Sequence, residues 1–100
     1  MLFRSTRERV AGLLLELVDS HGRQVAGGWE IRLRLSHQEL ANLIGATRET
    51  VTVTLGQLQR EGLIEVRRRR IYVLDRGRLA AEGAGQFQPQ PAAARPGRPG

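Results

Sequence analysis

Residues 36–61, SHQELANLIGATRETVTVTLGQLQRE, contain the signals that decide the fold. Ser36 and Glu39 form a capping box, because the serine can accept from the backbone N–H three residues on and the glutamate can reach back to the serine. Thr47 is a further N-cap residue, and Gly45 lies before it, where a helix ends in a left-handed turn. The stretch therefore predicts two short helices joined by a tight turn.

The two predicted helices each have an apolar face. In the first, we expect four side chains to point inward: Leu40, Ala41, Leu43 and Ile44. In the second, which covers residues 48–61, a rotation of about 100° per residue puts Val51, Leu55 and Leu58 on the buried side. The opposite side then carries a mixed set: Glu49, Val53, Gly56, Gln57 and Arg60. Thr54 stands where an apolar residue is expected.

The flanking segments complete a small domain. A capping box at Ser5 begins a helix over residues 6–20, and Gly22 is expected to end it in a left-handed conformation. Residues 29–35 alternate between apolar and charged, which predicts a half-buried strand with Arg32 and Arg34 facing solvent. Residues 63–66 and 70–74 are two further strands.

The order of elements predicts a mainly α fold with a small β component, a winged helix-turn-helix. We expect one domain over residues 1–82, with the helix-turn-helix at 36–61 and the wing at 63–74. Residues 83–100 consist mostly of Gly, Ala, Pro and Gln, which predicts a disordered tail, because such a composition cannot bury a core.

Composition narrows the classes of function. The 100 residues contain 16 basic and 10 acidic side chains, for a net charge of +6, and every basic residue is arginine. The excess of cations indicates an anionic partner. With no cysteine and two distant histidines, neither a metal site nor a cofactor is predicted. The chain lacks the ~18 consecutive apolar residues of a membrane span, so we expect no membrane partner and a cytoplasmic location.

The start of the second helix carries side chains suited to the major groove of DNA. Arg48 can donate to both acceptors of guanine, and Glu49 can accept from the amino group of cytosine. Thr52 is a further candidate for contact with base edges. Val53 is an apolar side chain on the outward face, where it could contact a thymine methyl or simply be exposed. These four residues are the candidate base contacts.

Two further groups are candidate phosphate contacts. The run Arg67, Arg68, Arg69 and Arg70 joins the last two strands, and four like charges at a hairpin tip indicate an anionic partner. Ser36, His37 and Gln38 lie at the N-terminus of the first helix, where backbone N–H groups favour an anion.

The residues 36–41 and 45–51, continued by Leu58, Gly62 and the following hairpin, resemble the DNA-binding domain of the cyclic-AMP receptor protein/FNR family of bacterial transcription regulators. The similarity covers about residues 7–79. Within this family, the sequences Leu35-Ser36-His37-Gln38 and Thr50-Val51-Thr52 most resemble the cyanobacterial nitrogen-control branch.

The resemblance implies roles for individual residues. Arg48 and Glu49 would contact bases, while phosphates would be contacted by a larger set: Ser36, His37, Gln38, Thr47, Thr50, Arg67 and Arg69. Val53 departs from the family pattern, because many members carry a basic residue there, so the target sequence should differ.

The resemblance also implies partners. We expect double-stranded DNA, bound as a homodimer on a palindromic promoter site, with RNA polymerase as a further partner. The family's sensing domain and dimerisation helix precede this domain and do not fit into 100 residues, so we expect either a fragment or a free-standing module. Without that helix, binding to single half-sites with modest affinity is expected.

One other class of function stays open at this point. The outward face of the second helix, with Val53 and Gly56, could dock an acidic protein. An enzyme is not predicted, because no nucleophile with a base, no paired carboxylates and no phosphate-binding loop can be assembled from the sequence.

Overall fold

The computed structural model describes residues 5–84, which form the predicted helices and strands in the predicted order, with an additional strand after the first helix and an additional helix at the end. The elements are α1 (Thr6–His21), β1 (Gly22–Val25), β2 (Gly28–Ile31), α2 (His37–Ile44), α3 (Arg48–Arg60), β3 (Ile64–Arg67), β4 (Arg70–Val73) and α4 (Arg76–Ala84). The predicted winged helix-turn-helix is confirmed.

Both capping boxes are present. Ser5 Oγ accepts from the Glu8 backbone N–H at 3.1 Å, and Ser36 Oγ accepts from that of Glu39 at 3.0 Å. In each case the glutamate accepts in return from the serine N–H. Such a cap stabilises a helix by about 1 kcal/mol, so these sequence signals fix where α1 and α2 begin.

The sheet is larger than the sequence predicts. Its strand order is β1-β2-β4-β3, with every neighbouring pair antiparallel. The left-handed helix stop expected at Gly22 is wrong: the residue has φ −88° and ψ 152° and begins β1, opposite Ile31. The predicted strand over 29–35 is also shorter than expected. It ends at Ile31 because only its first half finds a pairing partner.

The apolar faces of the helices meet in one core on the inner side of the sheet. Leu14 of α1, Leu40 of α2, Leu58 of α3 and Val73 of β4 are all essentially inaccessible to solvent. The inward position expected for Leu43 is wrong, because this side chain is 60% exposed. At about 100° per residue, Leu40, Ile44 and Ala41 share one side of the helix, and Leu43 lies about 60° beyond the edge of that side.

Helix α4 was not predicted and packs against α1. Leu79 is fully buried within it. At its end, Glu82 accepts a hydrogen bond from Arg7 Nε at 2.8 Å, which joins the start of α1 to α4. The helix includes residues 83 and 84, the first two of the predicted tail. The rest of that tail lies outside the described residues.

Candidate nucleic-acid interface

The outward face of α3 carries all four candidate base contacts. Arg48, Glu49, Thr52 and Val53 are exposed, while the other side of the helix is buried in the core. Val53 is 58% exposed, so the outward position predicted for it is confirmed. Polar and apolar groups at the start of α3 are thus free to meet a ligand.

Thr54 is buried on the inner side of α3 although it is polar. Its hydroxyl donates to the Thr50 carbonyl at 2.8 Å, one helical turn earlier. A buried hydroxyl that is hydrogen-bonded in this way avoids most of the cost of losing water. The polar residue at an expected apolar position is therefore accommodated without disturbing α3.

The two charged residues of the face contact one another weakly. Arg48 Nη2 and Glu49 Oε2 lie 3.4 Å apart, with side chains that are 57% and 75% exposed. An exposed pair of this kind contributes 0–1 kcal/mol, roughly, to stability. Breaking this pair so that each side chain can bind a base therefore costs little free energy.

The start of α3 is held by threonine hydroxyls. Thr47 Oγ1 accepts from the Thr50 backbone N–H at 3.2 Å, and the two hydroxyl oxygens lie 2.8 Å apart. The two candidate phosphate contacts are thereby adjacent at the N-terminus of a helix, where the dipole favours an anion.

The start of α2 faces α3 and the wing across a shared cleft. Ser36 and His37 line it together with Arg48 from α3 and Arg69 from the wing, and its volume is about 310 Å³. Gln38 stays on α2, donating to Asn42 Oδ1 at 2.9 Å. The structure thus brings three separately predicted groups to one cleft, which carries two guanidinium groups.

The tip of the wing is a two-residue turn formed by two arginines. Arg67 pairs with Arg70 in the sheet, and Arg68 and Arg69 between them have φ values of 51° and 67°. Positive φ at both central residues is the requirement of a type I′ turn, which usually contains Asn and Gly. Arginine is an unfavourable residue in both places.

This turn divides the four arginines between the two faces of the hairpin. Arg69 lines the cleft that faces α2 and α3, whereas Arg68 lines a second cleft of about 430 Å³ together with Arg34, Arg67 and Arg70. Arg67 and Arg70 are paired directly across the hairpin, so their side chains share one face, whereas Arg68 and Arg69 are the two residues of the turn. The four residues predicted as one group therefore form two.

On the outer face, two of these arginines already have partners. Arg70 Nη1 donates to Glu30 Oε2 at 2.7 Å, and this hydrogen bond lowers the pKa of the Glu30 carboxyl. Arg67 Nε lies 2.9 Å from Glu65 Oε2, and its guanidinium lies 4.7 Å from the centre of the Tyr72 ring. Arg69 and Arg68 are consequently the more available cations of the tip.

The surroundings of two residues beside the wing, Arg34 and Glu30, were missed by sequence reasoning. Arg34 was expected to face solvent, and the alternation around it gave no sign that it lines a cleft with the wing. Glu30 was not expected to be buried, and its partner Arg70 is 40 residues away. Contacts over such distances along the chain have no local signature.

Among residues 5–84, no group of three or more His, Cys, Asp or Glu could hold a metal ion. In the same part of the chain, no helix is both long and apolar enough to cross a membrane.

Comparison with known proteins identifies relatives of this chain. Residues 8–82 match the model of the Crp-like helix-turn-helix domain. The chain is 34% identical over 80 residues to the CRP-like cAMP-activated global transcriptional regulator of Mycobacterium tuberculosis, covering 80% of this chain and 36% of that protein. It is 40% identical over 70 residues to the global nitrogen regulator of a Nostoc species, covering 70% of this chain and 31% of the relative.

Solved structures give the same result. A transcriptional regulator of the CRP/FNR family from Thermus thermophilus superimposes with a TM-score of 0.74 at 33% identity, over 83% of this chain and 42% of that one. The CO-dependent transcription factor CooA from Carboxydothermus hydrogenoformans gives a TM-score of 0.73 at 30% identity, over 78% and 36%. The chain thus spans less than half the length of these relatives.

Proposed function

This chain belongs to the family of Crp-like helix-turn-helix domains, which act in DNA-binding transcription regulation, and from that premise we propose that it binds duplex DNA sequence-specifically through α3. The observation that carries the proposal is the exposed face of α3, where Arg48 and Glu49 are solvent-accessible and, within residues 5–84, paired only with each other, at the start of a helix that is buried on its other side. A helix of this kind enters the major groove with its N-terminal residues toward the bases.

Base recognition would depend on the chemistry of four side chains. Arg48 would donate to guanine O6 and N7, and Glu49 would accept from cytosine N4. Thr52 would form one further hydrogen bond, and Val53 would contact a thymine methyl. Each good pair of this type discriminates by about 1–3 kcal/mol against the wrong base.

Phosphate contacts would surround this face. The residues proposed for them are Ser36, His37, Gln38, Thr47, Thr50, Arg67, Arg68, Arg69 and Arg70. The shared cleft between α2, α3 and the wing supports part of this set, because it places Arg69 beside the start of α2. If ~4 phosphates are neutralised per protomer, the logarithm of the affinity should fall with the logarithm of salt at a slope near −3.6.

The proposed partners follow from the relatives. The target would be a promoter site, and two copies would bind its two halves, spaced about one helical turn apart. RNA polymerase would be the further partner at a promoter, and the place of action would be the bacterial cytoplasm. We propose binding and no catalysis, since the relatives are named as transcription regulators.

The test is selection from a pool of random DNA duplexes at physiological salt, followed by sequencing of the retained molecules. A shared motif with G·C pairs at fixed positions is expected. A palindrome would indicate that the chain pairs on DNA, and single half-sites would indicate binding as a monomer. Retention without any shared motif would contradict sequence-specific recognition and leave only electrostatic attraction.

The exposed Val53 favours one competing function, the docking of an acidic protein on α3. This alternative predicts that a protein partner, and not DNA, protects the face of α3. Hydrogen exchange of residues 48–60 in the presence of duplex DNA distinguishes the two. Protection by DNA is the expected result.

A further inference from the structure

His37 and Thr52 are joined directly across the helix-turn-helix. His37 Nδ1 and Thr52 Oγ1 lie 2.7 Å apart, although the residues are 15 positions apart in the chain. His37 is the first residue of α2, and Thr52 stands on the exposed face of α3. The contact therefore links a proposed phosphate contact to a proposed base contact.

The partner of Thr52 sets it apart from the other threonines of α3. Thr54 donates within the helix, to the Thr50 carbonyl, and Thr50 is bonded to the N-cap residue Thr47. Only for Thr52 does a hydroxyl of α3 bond to a side chain of α2, within the part of the chain that the structure describes. The orientation of its hydroxyl is thus controlled from outside the helix.

The proton in this hydrogen bond has two possible places. A hydroxyl has one proton to donate, and a neutral imidazole carries one N–H. When that N–H is at Nε2, Nδ1 is an acceptor and Thr52 must donate to it. The hydroxyl oxygen of Thr52 then has only lone pairs left for a ligand.

A phosphate would favour one of these two states of the neutral ring. It has no proton to give, so a phosphate at Nε2 of His37 requires an N–H there, and Nδ1 of the neutral ring is then the acceptor. The cleft that His37 shares with Arg48 and Arg69 carries two guanidinium groups and no carboxylate among its lining residues. This environment attracts a phosphate to His37.

We infer that His37 is a positioning residue for specificity: its Nδ1 accepts the hydrogen bond that the Thr52 hydroxyl donates, so the hydroxyl oxygen can only accept from a ligand and selects a base that presents an amino group. In the major groove these are adenine, through N6, and cytosine, through N4. Guanine and thymine present only acceptors to the same oxygen. The inference rests on the proposed function, since it needs α3 in the major groove.

The test uses the site recovered by selection. Duplexes carrying each of the four base pairs at every position of one half-site are titrated by fluorescence anisotropy at fixed salt, with the wild type and Thr52→Val. The base-pair position that Thr52 contacts is the one at which Thr52→Val loses the base preference that the wild type shows. There, the wild type should prefer adenine or cytosine over guanine or thymine by about tenfold, the effect of one hydrogen bond.

His37→Phe is the decisive variant, because it keeps a ring and removes both nitrogens. The freed hydroxyl of Thr52 can then donate as well as accept, so the preference should fall below about threefold at that position and be unchanged elsewhere. The double variant with Thr52→Val should behave as Thr52→Val alone, and Thr52→Ser, which keeps the hydroxyl, should retain the preference.

Gln38→Ala is the matched control, because Gln38 lies beside His37 but bonds only within α2. It should weaken binding to all duplexes alike. If His37→Phe does the same, or if Thr52→Val changes no preference at any position, the inference is wrong and the proposed function stands. If the wild type selects no motif, the proposed function itself fails. Thermal melts of each variant establish that it is folded. Thr52→Val removes the same hydrogen bond from the side of Thr52, which is exposed.

Discussion

Arg68 and Arg69 occupy consecutive left-handed positions at the tip of the wing and send their side chains to opposite faces of the hairpin. Each position disfavours a side chain with a Cβ, at a cost of about 1–2 kcal/mol for an ordinary residue. The turn is therefore less stable with arginine at these two positions than with residues that favour a left-handed backbone. Binding of an anion by the two guanidinium groups would explain why arginine is present despite this loss of stability.

The exchange Arg68→Asn with Arg69→Gly should therefore separate stability from binding. We expect the free energy of unfolding in urea to rise by about 1–3 kcal/mol, because Asn-Gly suits the turn. DNA affinity should fall, and the salt slope should become shallower by about 2 units if both cations meet phosphates. The control, lysine at both positions, keeps the charge and should keep the slope. Unchanged affinity of the Asn-Gly variant would show that the tip does not bind DNA.

Arg48→Ala should change specificity more than affinity for random DNA. The side chain stands free at the start of α3, paired only at 3.4 Å with Glu49. Its removal should cost about 1–3 kcal/mol at one G·C pair of the selected site. The measurement is binding to the site and to its single-base variants. An equal loss on specific and random duplexes would mean that Arg48 contacts only phosphate.

Arg7 joins three helices, and its contribution should depend on pH. Its guanidinium donates to Glu61 at 2.7 and 2.9 Å, beside the end of α3, and to Glu82 in α4. Hydrogen bonds from Arg7 lower the pKa of both carboxyls below the ordinary value. A carboxyl with a lowered pKa stabilises the fold above its unfolded pKa, and this contribution is lost as the pH falls through the folded value.

Arg7→Met should consequently lower the melting temperature at neutral pH, and the difference from the wild type should shrink as the pH falls below the usual range of glutamate. Arg34→Met is the control, because Arg34 makes no ion pair with a carboxylate in residues 5–84. Its difference from the wild type should not vary with pH. A constant deficit for Arg7→Met would mean that the side chain acts through packing alone.

Two glycines should differ in what an added methyl group costs. Gly45, with φ 71°, ends α2, and a Cβ there would meet no atom within 4 Å, so Gly45→Ala should cost about 1 kcal/mol from its left-handed backbone. At Gly28 a Cβ would collide with the carbonyl oxygen of Val73 in the neighbouring strand. Gly28→Ala should therefore cost more, about 2–3 kcal/mol, as measured by urea unfolding. Equal costs would contradict the close approach of β2 and β4.

The sequence predicted those features of the fold that depend on interactions between residues a few positions apart in the chain. The capping boxes at Ser5 and Ser36 and the turn at Gly45 were predicted at the right positions, because their donors and acceptors are three to five residues apart. The exposed side of α3 was predicted for the same reason, since the helical repeat fixes which residues share a face.

The tertiary structure decided what depends on residues far apart in the chain. A glycine at position 22, directly after a helical pattern, predicts a left-handed helix end, but pairing with Ile31 makes Gly22 the first residue of a strand. Leu43 belongs to the apolar stripe of α2 and yet lies outside the core. The burial of Glu30 depends on Arg70, and the split of the arginine tip depends on the hairpin register. Local composition cannot show which surfaces meet, because packing and strand pairing are set by the whole chain at once.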